Sequence, residues 1–159
     1  MRARPGRASA FAWALIAAGA FALFATSSSG NIRAPFLLDM ARDLSVSLGL
    51  AANIMALNAV TWGLASMLAG AVSDRFGRRP FLIGGPICLG VCLAGAGLAE
   101  SYLGVLVWAT LGGAAAGSIS VTVVTEVSSR VENNQRGRAL GWVLSGQSLA
   151  LLLGVPLAT

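Results

Sequence analysis

The sequence predicts an all-α fold, a polytopic transmembrane helical bundle of about five helices, and three observations carry that prediction. The first is composition: 56% of the 159 residues are hydrophobic, 11% are charged and the mean hydropathy is +0.77, whereas about a quarter of the residues in a soluble domain carry charge. The second is segregation. Charges bound five long uncharged stretches, Arg7 to Arg33, Asp43 to Asp74, Arg79 to Glu100, Glu100 to Glu126, and Arg138 to the end. A helix needs roughly 20 apolar residues, at about 1.5 Å of rise each, to cross a bilayer, and every stretch reaches or approaches that length. The third is asymmetry. Arg2, Arg4 and Arg7, then Arg75, Arg78 and Arg79, then Arg130, Arg136 and Arg138 fall on one side of the resulting topology, with Arg33 and Arg42 opposite. Arginine concentrates on the cytoplasmic side of membrane proteins, so a multi-pass chain in the cytoplasmic membrane is expected, with its amino terminus in the cytoplasm.

The first span is expected over about 9–32. Its front resembles a secretory signal, with arginines before the apolar run Phe11 to Phe24 and small residues at Ser27 to Gly30. Four later spans of the same character favour an embedded helix. The stretch Asn31 to Leu44 then leads into a short loop holding Asp39, Arg42 and Asp43, and the second span covers about 48–72. A charged turn from Asp74 to Arg79 follows, then a third span over about 81–99 and a brief loop at Glu100 and Ser101. The fourth span covers about 102–125 and the fifth about 139–159. One such stretch could be a buried helix of a soluble protein. Five in succession, with hardly any polar face, would leave a soluble fold unable to cover itself.

Glycine is frequent inside the spans, where small residues let helix backbones approach in lipid. Gly113 and Gly117 form one small-xxx-small pair, Ser66 and Gly70 another. Cys88 and Cys92 lie a helical turn apart, but the chain has no histidine, so they read as packing residues rather than metal ligands. No cofactor or metal is expected. The net charge of +5 comes as short clusters between apolar spans, which speaks for topology and against a nucleic-acid surface. Membrane enzymes gather His, Asp or Glu at one depth, and this chain shows no such cluster, nucleophile elbow or phosphate loop.

The most informative segment is Gly70-Ala-Val-Ser-Asp74-Arg75-Phe-Gly77-Arg78-Arg79, at the turn between the second and third spans. Gly70 removes a side chain near the end of a helix, so another backbone can come close. Gly77 supplies the positive backbone angle that a sharp turn often needs. Asp74, beside three arginines, can stay ionised and form charge-assisted hydrogen bonds or face the positive end of a neighbouring helix. An ordinary orienting loop would explain the arginines alone, but not the full spacing.

That spacing resembles the signature between helices two and three of the major facilitator superfamily, and the likeness covers essentially the whole chain. The segment ending Asp43-Leu44 looks like the family's exit from helix one, and Arg136-Gly137-Arg138-Ala139-Leu140-Gly141 looks like its start of helix five. The resemblance implies that residues 1–159 are part of an amino-terminal six-helix domain. It implies that Asp74 contacts the start of helix eleven in the carboxyl half and helps to hold the outward-open state. By position it also links Asp74 and Arg78 to Glu126. The conformational gating motif is then Gly70, Asp74, Arg75, Gly77, Arg78, Arg79 and Glu126. Two departures stand out. Trp108 occupies the helix-four position where many members have an arginine associated with proton coupling, and Gly154-Val155-Pro156 has a residue between the glycine and proline that some drug antiporters place side by side.

An arginine deep in lipid costs roughly 2.5 to 3.5 kcal/mol on insertion scales, so Arg33 faces either a cavity or, by snorkelling, the outer surface. Asn53, Asn58, Ser118, Ser145 and Gln147 are further candidates for a polar substrate pathway, with bonding between neighbouring helices as the alternative. Taken together, the implied function is transport of a small solute by a secondary carrier through alternating access, with efflux of drug-like compounds or metabolites foremost. The chain holds one three-helix repeat and two helices of the next, so alone it is expected to be incomplete, lacking its carboxyl-terminal half. Its expected partners are the lipid bilayer and a small-molecule substrate. The alternative is a short membrane scaffold or regulatory subunit without transport activity.

Overall fold

Long apolar stretches between charged turns become helices in the computed structural model, which describes residues 6–31 and 33–154 and holds six helices among them. They are α1 (Gly6–Asn31), α2 (Leu37–Asp43), α3 (Leu48–Phe76), α4 (Arg79–Leu98), α5 (Tyr102–Arg130) and α6 (Arg136–Gly154). Four of them, α1, α3, α4 and α5, are long and apolar enough to cross a membrane. The first turn of α6 carries Arg136 and Arg138. Arg2, Arg4, Ile32, Val155 and Pro156 lie outside the described residues.

Two stretches differ from the sequence reading. The segment between the first two long helices contains the short helix α2, where a loop is expected. Leu37, Met40, Ala41 and Leu44 recur at helical spacing, and Asp39 early with Arg42 late suits the helix dipole. Met40 and Leu44 pack against the buried cluster of Ile54, Val105 and Ala109. The second difference is length. At 29 residues each and about 1.5 Å per residue, α3 and α5 span roughly 43 Å, more than the ~30 Å hydrocarbon core. Apolar content marks only the lipid-crossing part of a helix. The backbone continues until a breaker intervenes, here Gly77 after α3 and the extended Val131 after α5. Asp74, Arg75, Glu126 and Arg130 therefore stand on helices. Helix starts follow local chemistry as well: Ser47 Oγ accepts from the Leu50 amide at 3.3 Å and Ser101 Oγ from the Gly104 amide at 3.2 Å, each satisfying an orphan donor of a first turn.

The fold is organised around α5, which buries twelve residues against four on α3 and two on α4. It packs on α3, on α4 and on α1, while α6 lies mainly along α1. Lipid gives apolar side chains no reason to prefer another helix, so these seams depend on close approach and on polar groups that would otherwise lack partners. Both devices are present. A Cβ at Gly113 would collide with the Asn58 carbonyl, and one at Gly117 with the Trp62 carbonyl. Across the same seam Asn58 Nδ2 donates to the Ala109 carbonyl at 2.6 Å, Thr61 Oγ1 reaches the Thr110 carbonyl at 3.0 Å and Ser66 Oγ reaches the Gly117 carbonyl at 3.1 Å. Between α4 and α5, Ile119 lies over Gly85 and the Trp108 indole over Gly95, while buried Cys92 faces Gly112. Gly146 of α6 sits against the Ala20 carbonyl of α1. Large apolar side chains such as Leu64, Met67 and Leu68 on α3 and Ile83, Ile87 and Val91 on α4 point outward, where acyl chains replace water.

This packing makes one position decisive. Gly117→Val is expected to lower stability by about 1–3 kcal/mol, the usual range for overpacking, because its neighbour is backbone and cannot swing aside. Gly90→Ala, which would meet nothing within 4 Å, is expected to change little. Thermal unfolding of the detergent-purified variants, followed by tryptophan fluorescence, separates the two.

Candidate functional site

Only Gly77 and Arg78 separate α3 from α4. Gly77 has φ 87° and ψ 160°, a region open essentially to glycine alone, and Pro80 lies in the first turn of α4, where its missing N–H costs no bond. The sharp turn directs Arg78 toward the end of α5. Its Nη1 donates to Glu126 Oε2 at 3.2 Å, to Ser129 Oγ at 2.6 Å and to the Thr125 carbonyl at 3.3 Å, and its Nη2 donates to Asp74 Oδ1 at 3.4 Å. The other oxygen of Glu126 pairs with Arg130, one turn further along α5. A continuous chain of alternating charge, Asp74, Arg78, Glu126 and Arg130, thus ties the ends of α3, α4 and α5 together.

The members of this chain are not equivalent. The Glu126 side chain is 10% exposed and that of Asp74 65%, so water screens the Asp74 pair far more. Arg75 and Arg79 are exposed, and among the described residues neither takes part in an ion pair. A Cβ at Gly70 would meet nothing within 4 Å. Of the pair Ser66 and Gly70, then, only Ser66 is used in a seam, and Gly70 presents an open notch.

A second polar region is a cavity of about 130 Å³ between α1, α3 and α5, bordered by Thr26, Ser27, Ser29, Asn31, Arg33, Asn58 and Trp62 among others. It brings together two of the sequence-derived pathway candidates, Arg33 and Asn58. Burial pulls the Arg33 guanidinium below its ordinary pKa. The other candidates lie elsewhere. Asn53 is exposed on α3. Ser118 borders a separate cavity shared with Cys88 and Trp108 on the α4 side, and its hydroxyl bonds to the Ala114 carbonyl at 2.9 Å. On α6, Ser145 donates to the Trp142 carbonyl at 2.7 Å and Gln147 is half-buried. Ser27, Trp62, Ser129 and Arg130 belong to the two sites but carry no distinctive sequence spacing, although Ser27 belongs to a serine run that interrupts an apolar helix. Among the described residues no group of three or more His, Cys, Asp or Glu could hold a metal.

Unequal burial predicts unequal consequences. Glu126→Gln, which takes the buried carboxylate from Arg78 and Arg130 and leaves Arg78 its exposed pair with Asp74, is expected to destabilise the protein by about 1.5–3 kcal/mol, the range for hydrogen bonds to charged groups. Asp74→Asn should cost about 0–1 kcal/mol, as for an exposed pair. Thermal unfolding at low and high salt checks both, and only the Asp74 contribution should fade with salt.

The sequence model of the Major Facilitator Superfamily matches residues 7–159. The chain is 28% identical over 137 residues to the MFS-type transporter YwfA of Bacillus subtilis, an alignment covering 86% of this chain and 33% of that protein. It is 32% identical over 139 residues to citrate exporter 1 of Aspergillus niger, covering 84% and 26%, and 40% identical over 55 residues to multidrug resistance protein D of Escherichia coli, covering 35% and 14%. The chain thus matches a third or less of the length of these relatives. With a match over nearly all its residues, and several helices able to cross a membrane, the chain belongs to the major facilitator superfamily.

Proposed function

We propose that this chain is part of the amino-terminal domain of a secondary carrier that moves a small solute across the cytoplasmic membrane by alternating access, with efflux of drug-like compounds or metabolites as its direction. The observation that carries the reading is the buried link from Arg78 to Glu126, extended to Asp74, at one end of three packed helices. Alternating access needs a bundle that rocks as a unit, and such a link binds the ends of α3, α4 and α5 into one body. Asp74, exposed at the edge of this body beside the open notch at Gly70, is the group left to face a second bundle. Two relatives whose names specify multidrug resistance and citrate export support efflux over uptake. The arginine distribution supports a cytoplasmic position for the amino terminus and for the hairpin at Arg75 to Arg79. Residues 1–159 correspond in this reading to five helices of a six-helix domain, and transport requires the opposing carboxyl-terminal half.

Asp74→Asn in the complete carrier tests it. The variant should insert normally and slow transport about tenfold, within the usual range for a coupling between conformational states, with altered reactivity of single cysteines placed along the pathway. An impermeant maleimide should label Arg75→Cys only from the cytoplasmic side. Wild-type rates and accessibility in Asp74→Asn would remove the latch, and labelling from outside would reverse the topology.

A further inference from the structure

We infer that the cavity between α1, α3 and α5 is an anion subsite that takes a carboxylate group of the solute, with Arg33 as its cation. The word solute rests on the carrier reading above; the subsite itself rests on the cavity. Its border contains a guanidinium and several hydroxyl and amide groups but no acidic side chain. Arg33 carries five N–H donors in a planar fork suited to a carboxylate, and among the described residues none of them has a hydrogen-bond or ion-pair partner.

The nearby acceptors that could have absorbed this charge are already served. Asn31 Nδ2 donates to the Ser27 carbonyl at 3.0 Å, and the Ala34 amide donates to the Asn31 carbonyl at 3.1 Å, so the end of α1 is capped without Arg33. Asp43 borders the other cavity that Arg33 touches, yet no ion pair within 4 Å joins them. Ser27, 3% exposed, and the Trp62 indole N–H add donors that bond to no described residue. A half-buried cation flanked by unused donors is costly to leave uncompensated, and a carboxylate answers both needs. At about 130 Å³ the space is below the ~300 Å³ lower range of whole-ligand pockets. It therefore holds the charged end of a solute, with the remainder projecting outward.

The test uses the complete carrier, purified and reconstituted, with acetate, benzoate and citrate as carboxylate probes, benzamide as the neutral counterpart and tetraphenylphosphonium as a cation. Binding is read from tryptophan fluorescence, since Trp62 borders the cavity, and movement from uptake into proteoliposomes. At least one carboxylate should bind saturably and benzamide should not. Arg33→Gln should weaken that carboxylate about tenfold or more, as expected for a lost charge-assisted bond. Arg33→Lys should restore part of the affinity, and Ser27→Ala, a smaller change in a packed position, should weaken binding without altering the unfolding temperature. Equal binding of benzoate and benzamide, or a carboxylate affinity indifferent to Arg33→Gln, would overturn the subsite. If tetraphenylphosphonium is transported by wild type and Arg33→Gln alike while no carboxylate binds, the carrier stands and the subsite falls. If a carboxylate binds through Arg33 but nothing crosses the membrane, the subsite stands and the carrier reading falls.

Discussion

In a bilayer two apolar helices gain nothing by hiding from the solvent, so the contact between α3 and α5 has to come from how closely their backbones approach. Gly113 and Gly117 permit that approach, and Asn58, Thr61 and Ser66 fasten it with hydrogen bonds to carbonyls of α5. Much else inherits its position from this seam. At one end it brings the end of α3, and through the turn at Gly77 the start of α4, to Glu126. Along its length it places Asn58 and Trp62 against the end of α1, where the polar cavity forms. Replace the glycines by larger residues and both sites lose their geometry at once, although neither glycine belongs to either.

The two arginines that matter most show opposite solutions to the same problem. Arg78 is surrounded: two carboxylates, a hydroxyl and a carbonyl occupy its donors. Such a group is structural by engagement, since both of its Nη atoms are committed to neighbours within the protein. Arg33 is comparably withdrawn from solvent but lacks those partners, and the donors around it point to the same kind of missing charge. The contrast between an engaged and an unengaged guanidinium in one small bundle separates a helix clamp from a recognition element more clearly than charge count does.

Much of the architecture was legible from charge spacing alone, because arginines and carboxylates cannot sit in hydrocarbon unaided and so punctuate the chain between spans. The turn at Gly77 was legible too, since few residues tolerate its backbone angles. Helix lengths were harder: apolar content ends at the lipid boundary, whereas hydrogen bonding along α3 and α5 runs on to Phe76 and Arg130. The short helix α2 escaped for the converse reason, its amphipathic pattern being too brief to stand out from a loop. Side-chain direction was the least accessible quantity. A helix in lipid is apolar on its outer face as well as its inner one, so no stripe of polarity tells Asn58, which borders the cavity, from Asn53, which does not. The same ambiguity hides Ser118, whose position facing α4 depends on packing that no local spacing encodes.

The attachment of α4 has a mechanical corollary. Along its length α4 leans on α5 and has lipid over most of its remaining surface, while its first turn is leashed to α3 by a two-residue link. A helix held on one flank has no independent bearing. Should α5 tilt, α4 is carried with it as a passenger, and α6, seated chiefly on α1, follows through the cluster where Leu23, Leu89, Val123 and Val143 meet. Any tilt accordingly passes from α5 to both of its flanks, and the short bridge between Ser120 and Thr26, 3.4 Å long, lies on the side where α1 takes it up.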